Sequence, residues 1–303
     1  MKKTIASAII LLICLSASAQ APVNLKFKIK TGVMNQLKIT SKQNVQTTYN
    51  GTPFTTKATT NIFISYTLLS QDKDIMSIEF KFDTIQSKTV APMMTKETNS
   101  AIPAKSKEYL ERMLNRFSAN KVIAKISTSG KFIGFVNYKP FRDNILQLLD
   151  SVPDSKKEQI RKQSDVMLKE SAIQSMIEPL FAYLPEKPVN PGDKWDTTIK
   201  QSSGGISLML FNTFAFDKLE NGTVVLSQIT ETESIPSNEP NPAMSMDIKG
   251  KSTSKLVIDL MTGAILNSSA TTHSEGNMKV KNQGNEMLMP MVIDSESEIN
   301  KIR

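Results

Sequence analysis

Apolar and polar residues alternate with a period of two along most of this chain. Leu25, Phe27 and Ile29 are separated by Lys26, Lys28 and Lys30. Ile62, Ile64, Tyr66 and Leu68 share one face, and Met76, Ile78, Phe80 and Phe82 alternate with Ser77, Glu79, Lys81 and Asp83. This pattern predicts half-buried antiparallel strands, one face in a core and one in water. It fills a first β-block over residues 22–138 and a second over 190–303. Asn50-Gly51 predicts a hairpin, because both residues tolerate positive φ. The strands beside it, 36–49 and 54–69, are long enough to predict a strongly bent sheet or a barrel. In the second block the pattern predicts strands over 206–216, 223–233, 243–260, 264–273, 277–281 and 286–298. The hairpin over 255–266, turning at Gly263, echoes the one over 123–136, turning at Gly130.

Between the blocks the period changes. Over residues 139–184, Pro140 opens a helix with Phe141, Ile145, Leu148 and Leu149 on one face. Val152-Pro153 ends it, since the residue before a proline is pushed out of the α region. Ser155 and Glu158 match a capping box for a second helix with an apolar face of Ile160, Val166, Met167, Ile173, Ile177 and Leu180, ending at Pro179. Such a face covers a core or lids a cavity. A shorter helix is predicted over 105–117. The fold class expected is α+β, mostly antiparallel β: one large curved sheet or half-barrel, with helices inserted mid-chain packing against it, as a single β-rich domain over 20–303.

The N-terminus changes the setting. Lys2 and Lys3 precede an apolar run over 9–15, then Ala17-Ser18-Ala19. That reads as a signal peptide over 1–19, cleaved between Ala19 and Gln20, with an apolar run too short to span a bilayer. Ile13 before Cys14 is too large for a lipoprotein signal. Cleavage removes Cys14, the one cysteine, so the mature chain has no disulfide and relies on its core. The expected location is outside the cytoplasm: periplasmic, associated with the outer membrane, or secreted. No transmembrane segment is expected after signal removal. The net charge of +8 is spread along the strands and only 6% of residues are aromatic, so no nucleic-acid partner is expected.

The chemical inventory is thin. His273 is the one histidine, and no nucleophile elbow, phosphate-cradling loop or His-Glu-x-x-His motif occurs. Glu231 with Glu233, and Glu296 with Glu298, alternate on strands as solvated faces do. A non-enzymatic protein is expected, with no catalytic residue, cofactor or metal. Trp195, the one tryptophan, reads as an anchor or as a platform for a ligand ring. Methionine is the unusual feature: seven of 16 lie beyond residue 242. Met244 and Met246 share a strand face, as do Met287, Met289 and Met291. They read as plain core, as an adaptable apolar cavity, or as soft-metal ligands lacking any Cys or His partner.

The export signal, the turn Pro191-Gly192-Asp193-Lys194-Trp195 and the strand–Thr262-Gly263–strand hairpin over 256–266 resemble a family of uncharacterised secreted proteins of Gram-negative bacteria. Long strands with mid-chain helices are similar, in pattern only, to periplasmic half-barrel lipoprotein carriers. The resulting expectation is an exported, non-enzymatic protein binding a hydrophobic or amphiphilic ligand, such as a lipid, in the periplasm or at the outer membrane. Met244, Met246, Met287, Met289 and Met291 would line the cavity, with Ile173 and Ile177 from the helix. The alternative is a structural or interaction protein of the cell envelope, meeting a partner protein through a sheet face or edge.

Overall fold

The computed structural model describes residues 21–49, 51–102, 109–203, 206–236, 244–282 and 285–303. The predicted cleavage site at Ala19 and Gln20 lies outside the described residues.

Twelve strands form one antiparallel sheet. In chain order they are β1 (Met34–Tyr49), β2 (Thr52–Asp72), β3 (Ile75–Ala91), β4 (Met94–Asn99), β5 (Lys121–Ser127), β6 (Phe132–Phe135), β7 (Lys194–Ser203), β8 (Ile206–Glu220), β9 (Thr223–Ile235), β10 (Met244–Asp259), β11 (Ile265–Asn282) and β12 (Asn285–Lys301). The order across the sheet is β6-β5-β3-β2-β1-β12-β11-β10-β9-β8-β7, with β4 branching off β3. Consecutive strands are mostly neighbours, which is how hairpin turns build a meander. The first and last strands meet in the middle, β1 against β12, so the two β-blocks are halves of one sheet.

Four α-helices lie among the described residues: α1 (Tyr109–Ala119), between β4 and β5, and α2 (Tyr138–Leu146), α3 (Asp154–Met167) and α4 (Glu170–Ile177), which separate the halves. Helix α1 packs on β3, close to one edge of the sheet, and α4 packs on β7, the opposite edge. Helices from two segments therefore touch the two flanks, and the open sheet curls around them. The main core fills this end: Ile64, Phe80 and Phe82 from one half, Phe214, Phe216, Leu226 and Ile258 from the other, and Phe141, Ile145, Ile173 and Ile177 from the helices.

After the helices, residues 181–184 plug the core. The Phe181 ring meets Tyr66 and Phe80 edge to face and Phe27 at a tilt. The Tyr183 hydroxyl donates to the Gly263 carbonyl at 2.7 Å. The Phe181 carbonyl rests where a Cβ on Gly130 would be, 1.9 Å away, so that turn needs glycine.

Several expectations change. The alternation at Leu25, Phe27 and Ile29 does bury those three side chains, yet residues 24–30 join no strand. They run as an extended clasp: Phe27 N–H donates to Thr128 O, Lys28 N–H to Thr262 O, and Val23 pairs with Val189. The two echoing hairpins, turning at Gly130 and Gly263, thus grip the same segment. The capping box does not form, because α3 starts at Asp154 behind Pro153 with no side-chain cap. The second helix is two helices: Lys169 is extended, at ψ 141, and the Tyr138 hydroxyl takes the Leu168 carbonyl at the break. The strands expected over 264–273 and 277–281 are one strand, since β11 runs unbroken through Gly276.

Candidate ligand-binding site

Away from α4, which follows β7 as far as Ser202, the strands run past the helices, and there the two faces of the sheet differ in chemistry. Paired residues in an antiparallel ladder point to the same side. The register therefore carries the inward face outward from the core level at Ile39, Ile62 and Ile299. The next rows are Ser41 with Thr60 and Ser297, then Gln43 with Ala58 and Ser295. On the other half, Thr197, Asn212, Thr230, Ser252 and Thr272 follow one another across five strands. Beyond the Ile39–Ile299 level, across the nine strands from β3 to β7, no inward position with a described side chain is Lys, Arg, His, Asp or Glu.

The polar residues of this belt satisfy one another. Asn212 Oδ1 accepts from Gln228 Nε2 at 2.9 Å and from Thr230 Oγ1 at 2.8 Å. Ser254 Oγ donates to Gln228 Oε1 at 2.7 Å, and Thr272 Oγ1 to Ser252 Oγ at 3.0 Å. Mutual bonding lets uncharged polar groups occupy a partly dry face without the desolvation cost of an unpaired group.

Farther out the face becomes apolar again, and here methionines gather. Met246, Met278 and Met289 are direct neighbours across β10, β11 and β12. One row nearer the core, Ile248, Gly276 and Met291 align, and Met291 is buried at 6% exposure. Met287 pairs with Val280. Met244 belongs to β10, but its side chain lies outside the described residues. Met278 completes the row and is singled out by its register alone.

Ile173 and Ile177 fall elsewhere. They lie on α4, 1% and 0% exposed, inside the main core that the helices cover. Met291 and Ile248 are buried outside that cluster. The methionine row and the two isoleucines are therefore separate apolar regions. Trp195 stacks on Phe214 at 5.8 Å and donates Nε1–H to the Tyr183 carbonyl at 3.2 Å, which anchors β7 to the plug.

The outward face carries the charge. Lys42, Lys57, Lys249, Lys251, Glu231, Glu233, Glu296 and Glu298 alternate there, with Lys249 paired to Glu233. A membrane-spanning barrel has the opposite arrangement, an apolar band outside. No described helix is long and apolar enough to cross a membrane. His273 also points outward. Its Nδ1 lies 2.7 Å from Asp294 and its Nε2 3.0 Å from Glu275, so both ring nitrogens are engaged by carboxylates. Those carboxylates, Asp294 first, raise its pKa above the usual histidine value.

The sheet edges are guarded. At β7, Ser175 Oγ of α4 accepts the Ser202 N–H at 2.7 Å. At the other edge β6 is four residues long. Short or covered edges prevent strand addition.

Residues 73–265 match the profile of a family of unknown function, DUF6263. The chain belongs to this family. The match includes the Pro191–Trp195 turn and most of the late hairpin. No curated protein matches the sequence. Among solved structures, lipovitellin, in a structure describing its lipid–protein interactions, aligns over 91% of this chain at 7% identity with a TM-score of 0.50. This chain spans 26% of the lipovitellin chain, so the likeness is one of sheet architecture. An exported protein with a YmcC-like fold from Bacteroides fragilis aligns over 92% of this chain and 100% of its own at 11% identity, with a TM-score of 0.30. The translocator domain of the autotransporter NalP from Neisseria meningitidis aligns over 99% of this chain and 97% of its own at 6% identity, with a TM-score of 0.20. The last two scores are too low to establish a shared fold.

Proposed function

We propose that this member of the DUF6263 family is exported and binds a hydrophobic or amphiphilic molecule in the periplasm or at the outer membrane, without catalysing a reaction on it. The carrying observation is the uncharged inner face, set against an outer face of alternating Lys and Glu. Burying an ion without a partner is costly, so a face meant to be dry excludes charge, while a face in water gains solubility from it. In this reading the curled sheet is a half-barrel closed at one end by helices. The methionine row takes the apolar part of the ligand, because thioether side chains adapt to chains of varying shape. The Ser/Thr/Asn/Gln belt takes an uncharged polar part. Lipovitellin, the structure whose sheet architecture this chain approaches, is one described for lipid–protein interactions. The predicted signal over residues 1–19 supports export.

The test is native mass spectrometry of the protein purified from its own envelope, followed by organic extraction. A reproducible adduct of lipid size is expected, and it disappears in a Met246→Glu/Met289→Glu variant. A bare mass that stays bare after incubation with envelope lipids would sink the reading.

A further inference from the structure

Helix α3 is unusual among the four: Ser164 is its one buried residue, while Val166 and Met167 are each 41% exposed. Its apolar residues therefore do not join the core. They line a separate cleft of about 950 Å³ between α3, α1 and the turn before Pro153, with Lys96 of β4 at its margin. This volume falls within the range of about 300–1,000 Å³ usual for small-molecule sites. Leu110, Met113, Val152, Ile160, Val166 and Met167 supply an apolar lining. Three cations, Lys96, Arg112 and Lys156, share it, and among the described lining residues there is no Asp or Glu.

Arg112 gives the second observation. One terminal nitrogen donates to Ser151 Oγ at 3.0 Å, and Ser151 in turn donates to the Leu148 carbonyl. That fixes the guanidinium. Its Nε, however, is buried and has no acceptor among the described residues. A buried donor without an acceptor is uncommon in native structures and calls for an explanation. A planar guanidinium held this way is suited to a carboxylate or phosphate.

We propose that this cleft binds a single-chain anionic amphiphile, with its carboxylate or phosphate on Arg112 and Lys156 and its tail along Ile160, Val166 and Met167. The site shares no residue with the methionine row, so the inference does not rest on the sheet-interior reading.

The probe is cis-parinaric acid, a fluorescent fatty acid, titrated into the full mature chain. Saturable binding is expected. Arg112→Gln and Lys156→Gln each weaken it about tenfold, the scale of one lost charge-assisted hydrogen bond, with unchanged circular dichroism. Arg112→Lys restores part of the affinity, and the methyl ester of the probe binds as weakly as the acid binds Arg112→Gln. Cosedimentation with phosphatidylglycerol vesicles, lost in Arg112→Gln, would identify a bilayer lipid as the source of the head group. Failure to cosediment, with probe binding intact, would identify a free amphiphile. Binding that ignores both substitutions overturns the proposal. Loss of the probe in Met246→Glu/Met289→Glu instead overturns it while supporting the sheet-interior site. No binding by the unaltered protein overturns it outright.

Discussion

The two ends of the sheet are made from the same strands and the same alternation, yet they are different materials. At the helix-covered end the inward residues are large and tightly packed: Phe80, Phe82, Phe214 and Phe216 are 0–2% exposed. At the uncovered end they are small, polar or flexible, with Ser, Thr and Gly giving way to methionine. Helices fill the first end, and among the described residues no helix packs closely on β10, β11 or β12, which carry the methionine row at the second. A period-two pattern reports that one face avoids water, not what covers it.

Substitutions at the two ends are expected to differ in effect. The largest effect is expected from Phe181→Ala, which empties the centre of the aromatic plug. A loss of about 3–5 kcal/mol in denaturant unfolding is the usual scale for such a deletion. Gly276→Val comes next. A Cβ there would meet the Asp247 carbonyl oxygen at 2.0 Å, so β10 and β11 would have to part. About 1–3 kcal/mol is expected, together with a more open, more dye-accessible inner face. Met289→Ala should cost less, about 1 kcal/mol, because the side chain is only half-buried. If Met289→Ala costs as much as Phe181→Ala, the far end is ordinary core and the contrast fails.

The smallest effect concerns the outer face. His273 is held by Asp294 and Glu275, which raise its pKa in the folded state. A raised histidine pKa contributes stability that is fully present below the unfolded-state pKa and is lost as pH rises through the folded value. A melting-temperature profile from pH 5 to about 9 should therefore fall slightly across that window and flatten in His273→Gln. An unchanged slope in the variant would mean that solvent screens the contact entirely.

Much of the sheet was legible because alternation and strand length agree there, as in the long strands β1 and β2 that pair up to Tyr49 and Thr52. The clasp was not. Leu25, Phe27 and Ile29 read as a strand, and only the tertiary fold shows that their backbone partners are Thr128 and Thr262 rather than a neighbouring strand. The break at Lys169 was hidden because no Pro or Gly marks it; the Leu168 carbonyl is taken by a tyrosine 30 residues away. Of the candidate site, the shared face of Met287, Met289 and Met291 was readable from spacing within one strand. Their alignment with Met278 and Met246 needed the register. Ile173 and Ile177 were grouped with them by apolar character alone, and the fold puts them in the main core. Arg112 gave no signal in sequence, because an unmet hydrogen bond exists only once everything around it is in place.

The clasp also sets an order of events. A ribosome makes Phe27 and Lys28 long before Thr128, Val189 and Thr262, the residues that will hold them. Until the last of these emerges, the first stretch of the chain cannot be fully fastened. Closing such distant pairs is slow, since the entropy of the intervening loop is lost before the contact rewards it. A chain threaded outward from its N-terminus would thus travel with that stretch unfastened, and its locking would mark the completion of folding.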